Sequence, residues 1–332
     1  MRIDLKKRYD VFGIGNAIMD FLVEVEPDVL IKCNMEKGQC RGVDDEELQN
    51  IFKSIGEDNF KRIPGGSAAN ILSGIAKMGG KVVFCGKIGS GEQGLYYEQT
   101  MFMGGVKPRL SKTNLKTGKA ITFITPDSER SFAANLGAAV ELRKEDIFED
   151  DIKESKIVHM EGYHLQNSDL LETAMYAIDI AKQNGILVSL DLNDAGMVAR
   201  NLDSVRKFVK NHIDILFANE QEAEAFTGKS DPIEALEILS SITKIAIVKN
   251  GPKGSFIRHN NITFNIPPFE AKAIDTTGAG DMYAAGFLHG LCQGLPLEQC
   301  GRLGSFAASR VVEQVGARYE GDLKAEIKQA LK

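Results

Sequence analysis

The 332-residue chain has no tryptophan, and no segment of it is repeated or of low complexity. Its five cysteines, Cys33, Cys40, Cys85, Cys292 and Cys300, include no CxxC pair and are odd in number, so free thiols in a reducing compartment are expected rather than a disulfide framework. No apolar run reaches the ~18 residues of a transmembrane helix, and MRIDLKKRYD lacks the apolar region of a signal peptide. A cytoplasmic location without a membrane partner is expected. Basic residues are not in excess: the net charge is −6 and the pI about 5.6, which argues against nucleic acid as a partner. Zinc-ligand spacing and a GxSxG elbow are missing, and the five histidines are scattered.

What remains is an ordinary globular composition, 43% hydrophobic and 26% charged, long enough for a large core. Short apolar runs read as buried strands: Tyr9–Gly15, Lys81–Gly89, Lys156–Met160, Gly185–Leu190, Ile213–Phe217 and Lys244–Lys249. Helical patterns lie among them at Ser67–Met78, Leu170–Gln183, Asp203–Asn211, Glu220–Phe226 and Pro232–Ser241, and Asp44 with Glu47 marks a capping box before another. The alternation predicts βαβ units and a parallel sheet covered on both faces. Phe21–Gly42 and Val106–Thr125 read as strands without helices, a small β flap. Ala279–Val312 reads as helical with a break at Gly294–Pro296.

Two glycine motifs lead nowhere. Gly13-Ile-Gly15-Asn-Ala-Ile18 lacks the third glycine and the later acid of a dinucleotide fingerprint. Gly86-Lys87 is followed by Ile88, where a P-loop needs Ser or Thr.

Four segments carry chemistry. In Asp275–Gly290, DTTGAGDMYAAGFLHG, the Gly278-Ala279-Gly280 turn at a helix start would gather N–H groups around an anion. Asp281 beside that anion suits a base for an attacking hydroxyl, although an acid at a helix start is also an ordinary cap. A hydroxyl near pKa ~16 facing a carboxylate near ~4 is ~12 units away, roughly 16 kcal/mol, so Asp281 would take the proton late, after oxygen–phosphorus bonding begins. In PGGSAAN, Gly65 and Gly66 allow close approach of a ligand and Asn70 suits vicinal hydroxyls; a plain helix start is the alternative. Asn16 and Asp20 in GNAIMD could hold sugar hydroxyls. Asn219 and Glu222, three apart on a first helical turn, could hold a hydrated Mg²⁺.

In order and type these segments resemble the ribokinase-like (phosphofructokinase-B) family of sugar and nucleoside kinases. GGSAANILSGIAKMGGKVVFCGKIG resembles its N-terminal signature and DTTGAGDMYAAGFLHG its C-terminal one, over about residues 10–318. The resemblance implies one α/β domain, residues 1–332. It would be a three-layer fold, a mainly parallel central sheet between helices, with a small β-sheet lid from about 21–42 and 106–125. It implies Mg-ATP as donor and a primary alcohol as acceptor. Asp281 matches the base, Gly278, Ala279 and Gly280 the anion hole, and Asn219 and Glu222 the residues that organise Mg²⁺. Asn193 matches a phosphate-proximal position. Lys249, Gly251 and Gly254 match the nucleotide loop, with Lys249 where many members carry Thr. Asp20, Gly65, Gly66 and Asn70 match the sugar-hydroxyl contacts, with Asn16 a candidate beside Asp20, and Asp275 lies where some members bind a monovalent cation such as K⁺.

GGSAAN and ERSFAANLG are nearer the adenosine-kinase branch. There Arg130 would steady the transferring phosphate, and Phe132 and Tyr163 would lie against a base. Adenosine is the leading acceptor; another nucleoside or a free sugar stays open, as does a non-catalytic ligand sensor. Monomer and homodimer both stay open.

Overall fold

The computed structural model describes residues 3–38, 40–127 and 129–331. Fourteen strands are described: β1 (Tyr9–Ile14), β2 (Ile18–Glu24), β3 (Cys40–Gly42), β4 (Lys61–Gly65), β5 (Val82–Gly89), β6 (Val106–Thr113), β7 (Thr117–Ile124), β8 (Arg130–Gly137), β9 (Ser155–Glu161), β10 (Leu187–Asp191), β11 (Ile215–Asn219), β12 (Ile245–Lys249), β13 (Ser255–His259) and β14 (Ile262–Ile266). Nine form one sheet in the order β14-β13-β12-β11-β10-β9-β1-β5-β6, parallel from β12 to β6 and antiparallel at β13 and β14. Five form a second sheet, β3-β8-β7-β2-β4.

The large sheet is covered on both faces because its strands are apolar at successive positions. Side chains alternate across a strand. In β1, Val11 joins one apolar cluster while Phe12 and Ile14 join the other. In β12, Ile245 and Ile247 face the first cluster and Ala246 and Val248 the second. Helices Ser67–Lys77, Ala279–Cys292 and Leu297–Val311 lie in the first layer, and Ser168–Gln183, Leu202–His212 and Pro232–Ile242 in the second. The three-layer α/β architecture with a mainly parallel sheet is the one expected. The Asp44–Glu47 capping box is present, and the break near Gly294–Pro296 separates two helices.

The flap differs from its expected bounds. Helix Pro27–Lys32 interrupts Phe21–Gly42, started by proline at its first turn. Val106–Thr125 splits between the sheets. β6 pairs with β5 in the large sheet, Val82 opposite Val106, and β7 enters the second. The split follows from helix Glu92–Met103, which makes β5-helix-β6 one crossover unit. Its sequence hides that helix because Leu95, Tyr96, Phe102 and Met103 are exposed, leaving a weak apolar face. β4 and β8 complete the second sheet. The β13–β14 hairpin turns on Asn260 and Asn261, both at positive φ (48° and 63°), as a two-residue turn requires. Among the described residues, no helix is long and apolar enough to cross a membrane. All five cysteines are free.

Candidate active site

Residues at the carboxyl ends of β9, β10 and β12 (Glu161, Asp191 and Lys249) lie within electrostatic reach of Asp281 in the first turn of helix Ala279–Cys292. Gly278 caps that helix at φ 76°, a left-handed conformation that a side chain disfavours, and a Cβ there would meet Ala317 Cα at 2.6 Å. Asp281, half-buried in the first turn, is held by two donors. Ser67 Oγ donates to Oδ1 at 2.7 Å and Asn70 Nδ2 donates to Oδ2 at 3.0 Å. Asn193, at φ 64°, donates through Nδ2 to Ser67 Oγ at 2.9 Å and accepts from Gly162 N at 2.8 Å. Burial pushes the Asp281 carboxyl up to about 6, against the Ser67 and Asn70 hydrogen bonds that pull it down.

Beside Asp281 lies a second polar group from β2, β4 and helix Ser67–Lys77. Asp20 stands over Gly65, where a Cβ would collide with its carboxylate. At Gly66, φ is 94° and a Cβ would collide with the Asn16 carbonyl. Burial pushes Asp20 up to about 7, with Arg318 opposing and Asp281 adding. Arg318 Nε donates to Asn70 Oδ1 at 3.0 Å, and its guanidinium feels the charges of both Asp20 and Asp281. Glu161, at the end of β9, accepts from Asn16 N at 2.9 Å, Asn16 Nδ2 at 2.5 Å and Ala68 N at 3.2 Å, and burial raises it to about 7.

On the other side, Lys249 Nζ donates to Asp191 Oδ2 at 2.6 Å and lies 3.1 Å from where a Cβ on Gly280 would be, against the Gly-Ala-Gly turn. Burial alone would pull its pKa down; the carboxylates of Asp191, Glu222 and Asp281 outweigh that and hold it above the ordinary lysine value. Gly251 opens the turn after β12, and Gly254 closes it at φ 94°.

Asn219 and Glu222 make a reciprocal cap. Asn219 N donates to Glu222 Oε2 at 2.8 Å, Asn219 Nδ2 to Oε1 at 2.9 Å, and Glu222 N to Asn219 Oδ1 at 2.7 Å. Both Glu222 oxygens are therefore occupied, and burial raises its pKa. Among the described residues no group of three His, Cys, Asp or Glu side chains is arranged to hold a metal. Asn219 and Glu222 therefore form no protein cage for an ion, and a divalent metal here would have to be held through water.

Arg130 opens β8 and pairs through Nη2 with Asp275 Oδ1. Phe132, on the same strand, and Tyr163, in the turn after β9, are both half-buried. Burial raises the Tyr163 phenol well above its usual value, with Cys40, Asp194, Glu161 and Glu222 adding to the rise. Asp275 does not fit the K⁺ that the resemblance suggests. Oδ1 accepts from Thr277 N at 2.6 Å and pairs with Arg130, and Oδ2 accepts from Gly316 N at 2.7 Å.

Buried polar atoms without a protein partner gather here: Asn16 Oδ1, Thr277 Oγ1, Arg130 Nε and Nη1, and Arg318 Nη2. Such atoms are uncommon in a folded interior and call for a ligand or water. Ser67, Glu161, Asp191 and Arg318 were not singled out in the sequence. Ser67 lies inside GGSAAN, and Glu161 and Asp191 each stand two residues before a residue that was singled out, Tyr163 and Asn193. Arg318 follows no local pattern.

The pfkB family carbohydrate kinase profile matches residues 50–323. This chain belongs to the pfkB family. It is a kinase of a sugar or nucleoside, and such kinases use ATP with a divalent metal. A 5-dehydro-2-deoxygluconokinase of Listeria monocytogenes serotype 4b (strain CLIP80459) is 31% identical over 272 residues, 77% of this chain and 82% of its own length. The structure of a probable sugar kinase from Rhizobium etli CFN 42 superposes with a TM-score of 0.93 at 32% identity, covering 98% of this chain and 99% of the other. That of an adenosine kinase from Sinorhizobium meliloti superposes with a TM-score of 0.92 at 32% identity, covering 97% and 99%. In this pfkB kinase the two signature segments meet through the Ser67 and Asn70 hydrogen bonds to Asp281.

Proposed function

We propose that this pfkB kinase moves the γ-phosphoryl group of ATP to the primary 5′-hydroxyl of a ribose nucleoside, adenosine first. The observation that carries the reaction is Asp281, oriented by Ser67 and Asn70 and lying between Lys249 on one side and Asp20 with Arg318 on the other. The acceptor oxygen attacks phosphorus while the bond to the β,γ-bridging oxygen breaks, and that electron pair leaves on ADP. The hydroxyl proton passes to Asp281. With Asp281 near 6, the gap to a hydroxyl near ~16 is still ~10 units, roughly 14 kcal/mol, so transfer comes late in the step.

Ala279 N donates to Thr276 O at 3.1 Å, so the Gly278 and Gly280 N–H groups, Lys249 and the free N–H groups of Arg130 would hold the phosphoryl oxygens, with Ala279 shaping the turn. Asn193 keeps Ser67 directed at Asp281. The turn at Gly251–Gly254 would receive the nucleotide. Mg²⁺, organised through water by Asn219 and Glu222, would neutralise charge on the phosphates. Asn16, Asp20, Gly65, Gly66 and Asn70 would hold the ribose hydroxyls, and Phe132 and Tyr163 the base. The second sheet would act as the lid, excluding water.

The Sinorhizobium adenosine kinase, similar over nearly the whole chain, supports adenosine. A free sugar or sugar acid is the second reading. The Listeria relative favours it, as does the unpartnered Arg318 Nη2, which suits a carboxylate or carbonyl oxygen. Coupled ADP release with Mg-ATP over adenosine, inosine, guanosine, cytidine, ribose, fructose and 5-dehydro-2-deoxygluconate separates the readings. Preference for adenosine upholds the proposal. Preference for a sugar overturns the acceptor and keeps the base, and binding without turnover overturns both.

A further inference from the structure

Asp275 leads into the Gly278–Gly280 turn, and its side chain is 0% exposed. A carboxylate so enclosed needs a counter-charge, because its interaction with water is lost. Here the charge comes from another layer of the molecule. Arg130 begins β8 in the second sheet, is 7% exposed, and places Nη2 on Asp275 Oδ1.

The remaining capacity of the carboxylate is also used. Thr277 N and Gly316 N donate to Oδ1 and Oδ2, and Ile274 N and Asp275 N both donate to Val312 O, at 2.7 and 3.2 Å. The carboxylate thus joins the catalytic turn to the segment that carries Arg318. A metal cation at this carboxylate would share a water-poor space with the guanidinium and be repelled by it.

We propose that Arg130 is the built-in counter-cation of the phosphoryl-transfer loop, so that this kinase works without a monovalent metal ion. The inference rests on reading Asp275–Asp281 as that loop. Arg130 then acts in part as a positioning residue: through Asp275 it holds the turn that gathers N–H groups around phosphate.

The test is thermal unfolding of the full chain in potassium, sodium and tetramethylammonium chloride at equal ionic strength. It needs no acceptor, so it stands apart from the outcome of the acceptor panel. The midpoint of the native protein is expected to agree within about 1 °C across the salts. Arg130→Met is expected to melt lower in tetramethylammonium and to recover about 3 °C or more in potassium, which takes the vacated position. Arg130→Lys keeps the charge and should ignore the salt, and Arg130→Met with Asp275→Asn should lose the potassium response. A native midpoint several degrees higher in potassium overturns the proposal, as does Arg130→Met melting with the native protein in every salt. If Arg130→Met does not fold, the native protein and Arg130→Lys decide. With an acceptor in hand, the native turnover rate should also agree within about twofold across the salts, whereas a monovalent-cation requirement would show as a rate that rises with potassium.

Discussion

Asp281→Asn should lower the rate and raise the stability, and the opposite signs distinguish a base from a helix cap. The substitution keeps the shape. The oxygen of the new carboxamide can accept from Asn70 Nδ2, and its NH₂ group can donate to Ser67 Oγ, which already accepts from Asn193. What changes is charge and basicity. Burial lifts the carboxyl from an ordinary ~4 to about 6, ~2 units, so the ionised form destabilises the fold by up to roughly 3 kcal/mol. The sign follows from the two pKa values. Above pH 6 both folded and unfolded carboxyls are ionised and the full destabilisation applies; below about pH 4 both are protonated and it disappears. At pH 8 the variant should therefore melt no lower than the native protein, and its advantage should shrink as the pH falls from 6 towards 4. Loss of a general base lowers the rate by ~10²–10⁴, or roughly 3–5 kcal/mol of barrier. Coupled ADP release at saturating Mg-ATP and acceptor measures the rate, and thermal or urea unfolding the stability. A rate kept within about threefold, or a clear loss of stability at pH 8, would refute the reasoning.

The native pH–rate profile should follow. kcat/KM should fall about tenfold per unit below pH ~6 as Asp281 is protonated; an acid limb near 4 would mean that burial does not perturb it. Gly65→Ala should push Asp20 aside and raise the acceptor KM tenfold or more, with the ATP KM little changed; equal effects on both would argue against Asp20 as an acceptor contact. Lys249→Met leaves Asp191, 1% exposed, without its ammonium. It should cost about 3–5 kcal/mol in urea unfolding and raise the ATP KM; full stability would refute the buried pair.

The chain's local patterns determined the parallel sheet, most helix ends and the components of the site. Buried strands, capping residues and glycine turns declare themselves within a few residues, because backbone conformation is decided locally. Asp281, Asn70, Asp20 and the Gly278–Gly280 turn were legible for that reason. The flap's edges were not. Helix Glu92–Met103 lacks a strong apolar face, and only pairing shows that β6 belongs with β5.

What only the tertiary structure decided are the partners of the buried cations. Lys249 meets Asp191 and Arg130 meets Asp275 as ion pairs, and Arg318 donates to Asn70 within the field of Asp20. Each joins residues more than 50 positions apart. No periodicity encodes such partners, because a buried charge selects its counter-charge by proximity in space after the layers have packed.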